Sequence, residues 1–352
     1  MKRLELRGLN EIALEDTCRE LGLPRFRANQ LFRWVQQKAI QVWPEISNIG
    51  PKDLGLLQDR LDLVPLALVR EQRSVDGTRK YLFRLQDGQT IECVLMEYQR
   101  QASRERQTVC VSTQVGCPVG CAFCATGQLG WRRNLTPGEI VSQVLDVTYQ
   151  VRPEDPDFHI TNIVFMGMGE PLLNYEAVLT AIDLLNNPHG QNIGMRRMTI
   201  STSGVAPKIR QLARDNDQVG LAISLHAPTD EERSALVPIN RRYPLAELMD
   251  ACREYTGRTN RRLTFEIAVI AGQVTDRWAE GFAHLLQGQL AHVNLIPVNP
   301  VEGTGMRRPS APELEKFQHI LAQAGIPVSV REERGTDIDA ACGQLRQRWE
   351  EQ

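Results

Sequence analysis

Four thiols fall within the stretch CVSTQVGCPVGCAFC, at Cys110, Cys117, Cys121 and Cys124. The last three are spaced C-x3-C-x2-C, close enough for one loop to wrap a small inorganic core and aim three thiolates inward. Gly116, Pro118 and Gly120 favour a loop at this point over helix or strand. Structural zinc almost always takes four protein ligands, commonly as two separated pairs, and the nearest other thiol, Cys110, lies seven residues upstream. Three ligands suit a 4Fe-4S cluster with one iron open to a small molecule, whereas a fourth cysteine would leave an electron-transfer or structural cluster. A zinc knuckle that borrows a distant ligand is the alternative reading of the same thiols.

The elements that must position this loop are legible in outline. The chain has 352 residues, 42% of them hydrophobic and 24% charged, as expected of a globular protein with one large domain and a small one. No segment approaches the ~20 apolar residues of a membrane span, and the start MKRLELRGLN lacks a signal-peptide core. A cytoplasmic setting follows, where eight cysteines read as cluster ligands or catalytic thiols rather than a disulfide framework. The formal net charge of −2 excludes a wholly basic nucleic-acid coat and leaves local basic patches to make any phosphate contacts.

Residues 1–72 read as a helical accessory domain, with apolar periodicity in Leu21, Phe26, Leu31, Phe32, Trp34 and Val35. Its run PRFRANQLFRWVQQK interleaves Arg25, Arg27, Arg33 and Lys38 with aromatics, which reads either as a phosphate-binding face or as a solvated helix over a core. Residues 73–99 alternate around Asp87-Gly88 as a β-hairpin extension, with Glu92 in its second strand. From Cys110 the period switches repeatedly: QTVCVSTQV precedes a helix at 137–150 opened by the Thr136/Glu139 capping box. Five further strand–helix pairs start at ITNIVFMG, RMTISTSG, VGLAISLHA, LTFEIAVI and HVNLIPVN, the last helix opened by Ser310 and Glu313. Six such units predict an α/β fold with a parallel sheet curled into a partial barrel over 100–331, open on one side for a large substrate. Residues 332–352 form a C-terminal segment in which Gly335 and Gly343 flank Cys342 and favour mobility.

In such a fold, function collects just after the strands. GMGEPLLN follows the second strand, where Gly167 and Gly169 allow close backbone approach and Glu170 can accept from an amino group; a tight turn is the plain alternative. Ser201, the run Ser224-Leu225-His226 and Asn299 end the third, fourth and sixth strands, positions that would equally suit strand caps.

With Phe123 before its last cysteine, C-x3-C-x2-C resembles the signature of radical S-adenosylmethionine (SAM) enzymes, whose architecture is a (β/α)6 partial barrel. The ordered set CVSTQVGCPVGCAFCATG, FMGMGEPLLN, TISTSG, ISLHAP, NLIPVNP and RGTDIDAACGQL is similar to the adenine methyltransferases of 23S ribosomal RNA, from about Glu92 to Leu345 and less specifically over the N-terminal domain. That resemblance implies methylation of carbon 2 of adenine 2503 in 23S rRNA, before ribosome assembly is complete, and of adenine 37 in some tRNAs. It implies a 4Fe-4S cluster on Cys117, Cys121 and Cys124, two SAM molecules per methylation, and a reducing donor such as flavodoxin. SAM contacts would come from Gly169, Glu170, Ser201, Ser224, Leu225, His226 and Asn299. By motif match Cys342 is the methyl carrier, Cys110 the thiol that resolves the RNA link through a disulfide with Cys342, and Glu92 the base. Cys18, Cys93 and Cys252 remain as small core residues. A sister family that methylates carbon 8 of the same adenine shares every motif quoted. The complete N-terminal domain and the wording around Cys342 favour carbon 2. A non-catalytic iron–sulfur or zinc RNA-binding module would need neither GMGEP nor the late cysteine.

Basic clusters at Arg132-Arg133, Arg196-Arg197, Arg241-Arg242, Arg258 with Arg261-Arg262, and Arg307-Arg308 read either as solvated faces or as an electrostatic rim at the barrel mouth.

Overall fold

A computed structural model describes residues 3–98 and 106–345. The expected break between hairpin and barrel at 99/100, and the last seven residues of the expected C-terminal segment, 346–352, lie outside the described residues.

The N-terminal part is built from α1 (Glu11–Glu20), α2 (Phe26–Phe32) and α3 (Pro51–Arg60). Asn10 caps α1 by accepting the Ala13 amide, and Pro51 opens α3, where its missing N–H costs nothing. Leu14, Cys18, Leu31, Phe32, Val35 and Leu57 are buried together, whereas Phe26 points outward at 53% exposure. Within PRFRANQLFRWVQQK, Arg25 pairs with Glu15 and Arg27 with Asp53, and the Lys38 ammonium sits 3.6 Å from the centre of the Trp34 ring. Arg25 and Arg27 are therefore partly neutralised by the chain itself. A buried node fastens this part to the rest. Asp146 accepts from the Arg7 guanidinium at 2.6 Å, the Gln41 amide at 2.8 Å and the Leu66 N–H at 2.7 Å. A carboxylate with three donors offsets much of its desolvation.

One ten-stranded sheet carries the remainder, and its spatial order follows the sequence. Strands β1 (Ala67–Arg73), β2 (Arg79–Arg84), β3 (Thr90–Tyr98) and β4 (Arg106–Cys110) run antiparallel to one another. From β4 onward, β5 (Asn162–Phe165), β6 (Met198–Thr202), β7 (Gly220–Ser224), β8 (Leu263–Val269), β9 (Ala291–Pro297) and β10 (Val328–Val330) are parallel. The crossovers are α4 (Pro137–Val151), α5 (Tyr175–Asn186), α6 (Ala206–Asp215), α7 (Leu245–Thr259), α8 (Asp276–Leu285) and α9 (Ala311–Gln323). This is the α/β partial barrel of six strand–helix units, left open because β10 and β1 form its two edges. The Thr136/Glu139 capping box opens α4, and the Glu313 carboxylate accepts from Ser310 N–H and Oγ at the start of α9.

Three local readings differ from the structure. Residues 67–72, expected to be helical, belong to β1, an edge strand whose mostly polar sequence ALVREQR carries no apolar alternation. QTVCVSTQV is not one strand: β4 ends at Cys110, and Gln114–Gly116 pairs with Trp131–Asn134 in a separate antiparallel ribbon. The break falls where the Ser112 N–H leaves the sheet for the Gln143 side chain at 2.7 Å. The three-residue β10 was too short to announce itself. Among the described residues no helix is long and apolar enough to cross a membrane.

Candidate active site

The cysteine loop is closed at its base by the Gln114–Gly116/Trp131–Asn134 ribbon. Gly116 has φ +74°, and a Cβ there would lie 1.8 Å from the Gly130 carbonyl oxygen, so no other residue fits the closure. Cys117, Cys121 and Cys124 line one wall of a cavity of about 940 Å³, its solvent-open mouth included. Burial pushes all three thiols up, Cys117 to about 12. Iron coordination would reverse that, since a metal's positive charge holds its sulfur ligands as thiolates. Among the described residues, no three His, Cys, Asp or Glu side chains are gathered closely enough for a single ion. Three thiols carried by one short loop on one wall of this cavity are the donor set for a 4Fe-4S cluster with one iron open to a ligand.

The opposite wall is made by the carboxyl ends of β5 to β9, the functional end of such a barrel. Gly169, Glu170, Ser201, Ser224, His226 and Asn299 line the cavity; Leu225 is buried behind it and contributes backbone only, its N–H donating to the Glu266 carbonyl oxygen. The glycines after β5 serve the fold first. A Cβ on Gly169 would meet the Gln114 side chain at 2.7 Å, and one on Gly167 would meet Ser112 Oγ at 2.8 Å. From its sequence position Glu170 can partner an amino group, yet its carboxylate already binds the protein: Oε2 accepts from Ser203 N–H and Oγ at 2.7 and 2.6 Å, and Oε1 from the Leu172 N–H at 3.0 Å. Burial raises its pKa, and the Ser203 hydrogen bonds work against that rise. Glu170 therefore ties the end of β5 to the end of β6, with its lining atoms still facing the cavity.

Sequence reasoning missed several members. Ser203, two positions beyond the chosen Ser201, is the residue that holds Glu170. Glu266, a charge inside the apolar strand LTFEIAVI, lines the cavity and accepts from Ser201 Oγ at 3.3 Å; that lone charge was the available signal. Arg233 is fully buried and donates to the carbonyl oxygens of Leu225, Ser203 and Ser224 at 2.9, 2.6 and 3.0 Å, and to Asn240 Oδ1 at 2.8 Å. It pins together the loops after β6 and β7. Arg233→Met is expected to cost on the order of 3 kcal/mol of stability, because three carbonyl oxygens lose a charged donor. Urea unfolding checks the loss.

His226 has φ +62° and stacks edge-on against Phe123, ring centres 4.6 Å apart. Its Nδ1 accepts the Ala268 N–H at 2.9 Å, which leaves the proton of the neutral ring on Nε2. Burial, aided by Arg233, lowers its pKa from 6.5 to about 3. Between those values the unfolded chain binds a proton that the folded chain refuses, so stability falls as pH drops through this window. At pH 5 the loss from this residue alone is about 2 kcal/mol. Unfolding of wild type and His226→Gln at pH 7.5 and 5 checks this: the variant should lose less stability on acidification.

Cys110 and Cys342 line a second cavity together with Met96, Tyr98 and Arg331, and Cys342 lines the first cavity as well. All eight cysteines are unbridged, so the pair is adjacent without a disulfide. Burial, then the neighbouring Cys342 charge, pushes the Cys110 thiol up to about 12; burial also raises Cys342, against the pull of Arg331. The tail docks on the cysteine loop: Gly343 O accepts the Ala125 N–H at 2.7 Å, Leu345 O accepts Thr126 Oγ1 at 2.6 Å, and Asn299 Nδ2 donates to Cys342 O at 3.4 Å. Glu92 lines neither cavity. It is buried in β3 beside Lys80, Nζ to Oε1 3.4 Å, two residues along the strand from Val94, which pairs with Cys110. Cys18, Cys93 and Cys252 are fully buried in the core.

The basic clusters do not form one rim. Arg196-Arg197 and Arg258 with Arg261-Arg262 precede β6 and β8, at the barrel end opposite the cavities. Arg132-Arg133, Arg241-Arg242 and Arg307-Arg308 lie on the cavity side, but Arg133 is held by Asp87 and Glu139 and Arg308 pairs with Glu333.

A partial barrel with three loop cysteines facing the carboxyl ends of its strands defines a radical SAM enzyme. The model for the radical SAM superfamily matches residues 111–286, and that for the ribosomal RNA large subunit methyltransferase N-terminal domain matches residues 4–61. The crystal structure of a radical SAM methyltransferase from Sphaerobacter thermophilus superposes with a TM-score of 0.93 at 49% identity, covering 97% of this chain and 99% of that one. The chain is 68% identical to the probable dual-specificity RNA methyltransferase RlmN of Desulfitobacterium hafniense strain Y51, over 99% of this chain and 98% of the relative. It is 44% identical to that of Thermotoga maritima, over 97% and 98%. The protein belongs to the RlmN family of dual-specificity RNA methyltransferases.

Proposed function

We propose that the protein methylates carbon 2 of adenine in RNA, at adenine 2503 of 23S rRNA and adenine 37 of some tRNAs. Family membership supports RNA methylation; the observation that carries the route is Cys342, which faces both the cavity walled by three cysteines and the one holding Cys110. Carbon 2 lies between two nitrogens, is electron-poor and has no lone pair, so it cannot attack a sulfonium methyl group. Cys117, Cys121 and Cys124 are the residues to hold a 4Fe-4S cluster, which when bound supplies the electron that releases a 5′-deoxyadenosyl radical from SAM. Gly169, Glu170, Ser201, Ser224, His226 and Asn299 shape the space for SAM, with Leu225 behind them. Cys342 as thiolate takes a methyl group from one SAM, and Arg331 in the same cavity favours that anion. The S-methyl group, activated by hydrogen abstraction with a second SAM, then joins carbon 2. Glu92, on the β3 face that lines the second cavity, takes the ring proton. Cys110 as thiolate attacks the Cys342 sulfur to form a disulfide as the carbon–sulfur bond breaks, and a solvent proton completes the methyl group. The one surplus electron would return to the bound cluster, and a reductant reopens the disulfide.

In this reading the N-terminal helices contact RNA, the target base leaves its stack to reach the cavity, and the enzyme works in the cytoplasm before ribosome assembly is complete, with a flavodoxin-type donor. The test is anaerobic incubation of reconstituted protein with reductant, SAM and protein-free 23S rRNA or tRNA, followed by mass spectrometry of nucleosides. 2-Methyladenosine is the expected product. 8-Methyladenosine would assign the chain to carbon 8 chemistry, and unmodified RNA with abundant 5′-deoxyadenosine would show the substrate to be wrong.

A further inference from the structure

Outside both cavities, the turn between β1 and β2 grips the C-terminal segment at closely spaced points. Asp76 Oδ1 accepts the Thr78 N–H at 2.9 Å and closes the turn, while Oδ2 accepts the Gly335 N–H at 2.9 Å. Asp337 accepts from Ser74 Oγ at 2.6 Å and from the Val75 N–H at 3.2 Å. Lys80 Nζ donates to the Asp339 carbonyl oxygen at 3.2 Å and lies 3.4 Å from Glu92 Oε1. The fit is close. Gly335 has φ +64°, and a Cβ there would meet Ala340 Cβ at 2.8 Å and Thr78 Cγ2 at 2.9 Å. Asp339 also adopts a left-handed conformation, φ +52°, one that aspartate takes more readily than most side chains.

These contacts stop at Asp339, three residues before Cys342, and the next attachments of the segment are those of Cys342, Gly343 and Leu345 to the barrel. Resting on the carrier role of Cys342, we infer that the β1–β2 turn and Lys80 form a seat that fixes the base of the carrier segment, with Lys80 tying Glu92 to the same anchor. Asp76, Ser74 and Lys80 are positioning residues. Three residues of chain reach at most about 10 Å, so a fixed Asp339 keeps the Cys342 backbone within that distance of the anchor, beside the two cavities that Cys342 lines. Released at its base, the segment would sample many positions from which a methyl group reaches neither SAM nor the base. Lys80 also holds the Glu92 carboxylate at a set distance from the anchor, so that base and carrier share one reference point.

The test uses the full-length reconstituted enzyme with SAM, reductant and RNA, and reads 5′-deoxyadenosine formed per methyl group transferred. Asp76→Asn keeps an acceptor for Thr78 and removes the one for Gly335. It is expected to raise that ratio about tenfold, the equilibrium equivalent of one lost hydrogen bond to a charged acceptor, with cluster absorbance and KM for RNA unchanged. Lys80→Met should do the same and Lys80→Arg should restore coupling. Amide exchange in the 335–345 peptide should quicken in Asp76→Asn while the barrel strands stay protected; should a lysine variant lose its cluster, Ser74→Ala with the exchange readout carries the test. Wild-type coupling and exchange in these variants would overturn the seat. Cys342→Ala run in parallel separates the two layers: an active Cys342→Ala overturns the carrier role, whereas an inactive one beside fully coupled seat variants overturns the seat alone.

Discussion

Cys342→Ala is expected to abolish RNA methylation, by at least about 10⁴-fold, as when a covalent nucleophile is removed, while the iron–sulfur absorbance and SAM binding persist. The side chain contributes no hydrogen bond to the docking of the tail; Asn299, Ala125 and Thr126 bond instead to backbone carbonyl oxygens of residues Cys342, Gly343 and Leu345. Loss of one sulfur atom from a partly buried site should cost about 1 kcal/mol or less in stability. Inactivity can therefore be told from unfolding by a thermal melt of the same preparation. Appreciable turnover by the variant would mean that methyl groups reach RNA without this thiol.

Cys110→Ala should fail at the other end of the cycle. With Cys342 intact, the methyl carbon joins the base and nothing displaces it from sulfur, so protein and RNA accumulate as one covalent species. Denaturing electrophoresis of a reaction with labelled RNA should show most of the active enzyme shifted to the mobility of the conjugate, and nuclease digestion should leave a modified nucleotide on Cys342. Wild-type protein should show little. Cys110 sits at the end of β4 with 8% exposure, in the same cavity as Cys342 and with no bond between the two sulfurs. Free RNA product from the variant at normal rate would remove Cys110 from the mechanism.

Most of the barrel was legible because its strands are short apolar runs followed by capped amphipathic helices, and a signal of that kind survives without any knowledge of packing. Edges were not. The strand β1 is largely polar because half of its surroundings are water, and β10 has only three residues. The site divides in the same way. The cysteine loop follows from covalent spacing alone, whereas Ser203, Arg233 and Arg331 owe their roles to contacts across 33, 30 and more residues of chain, which no local pattern encodes. Glu170 shows the difference most clearly: its presence in GMGEP was readable, but its carboxylate bonds to the end of the next strand. Arg133, in a cluster that reads from sequence either as a solvated face or as part of a basic rim, pairs with Asp87 and Glu139, partners that no local pattern points to. Glu92 was found on the expected strand, beside Lys80 and outside both cavities, a placement only the tertiary fold could reveal.

The carbon that reaches RNA is expected to travel through Cys342. Enzyme is first loaded with SAM carrying a CD3 methyl group, freed of small molecules, and then given unlabelled SAM, reductant and RNA for a single turnover. The expected product is 2-methyladenosine carrying two deuteriums, with the third in 5′-deoxyadenosine, because one deuterium is abstracted from the S-methyl group and replaced by a solvent proton. Unlabelled 2-methyladenosine in that first turnover would contradict it, since the methyl group would then have passed from the second SAM to RNA without resting on the protein.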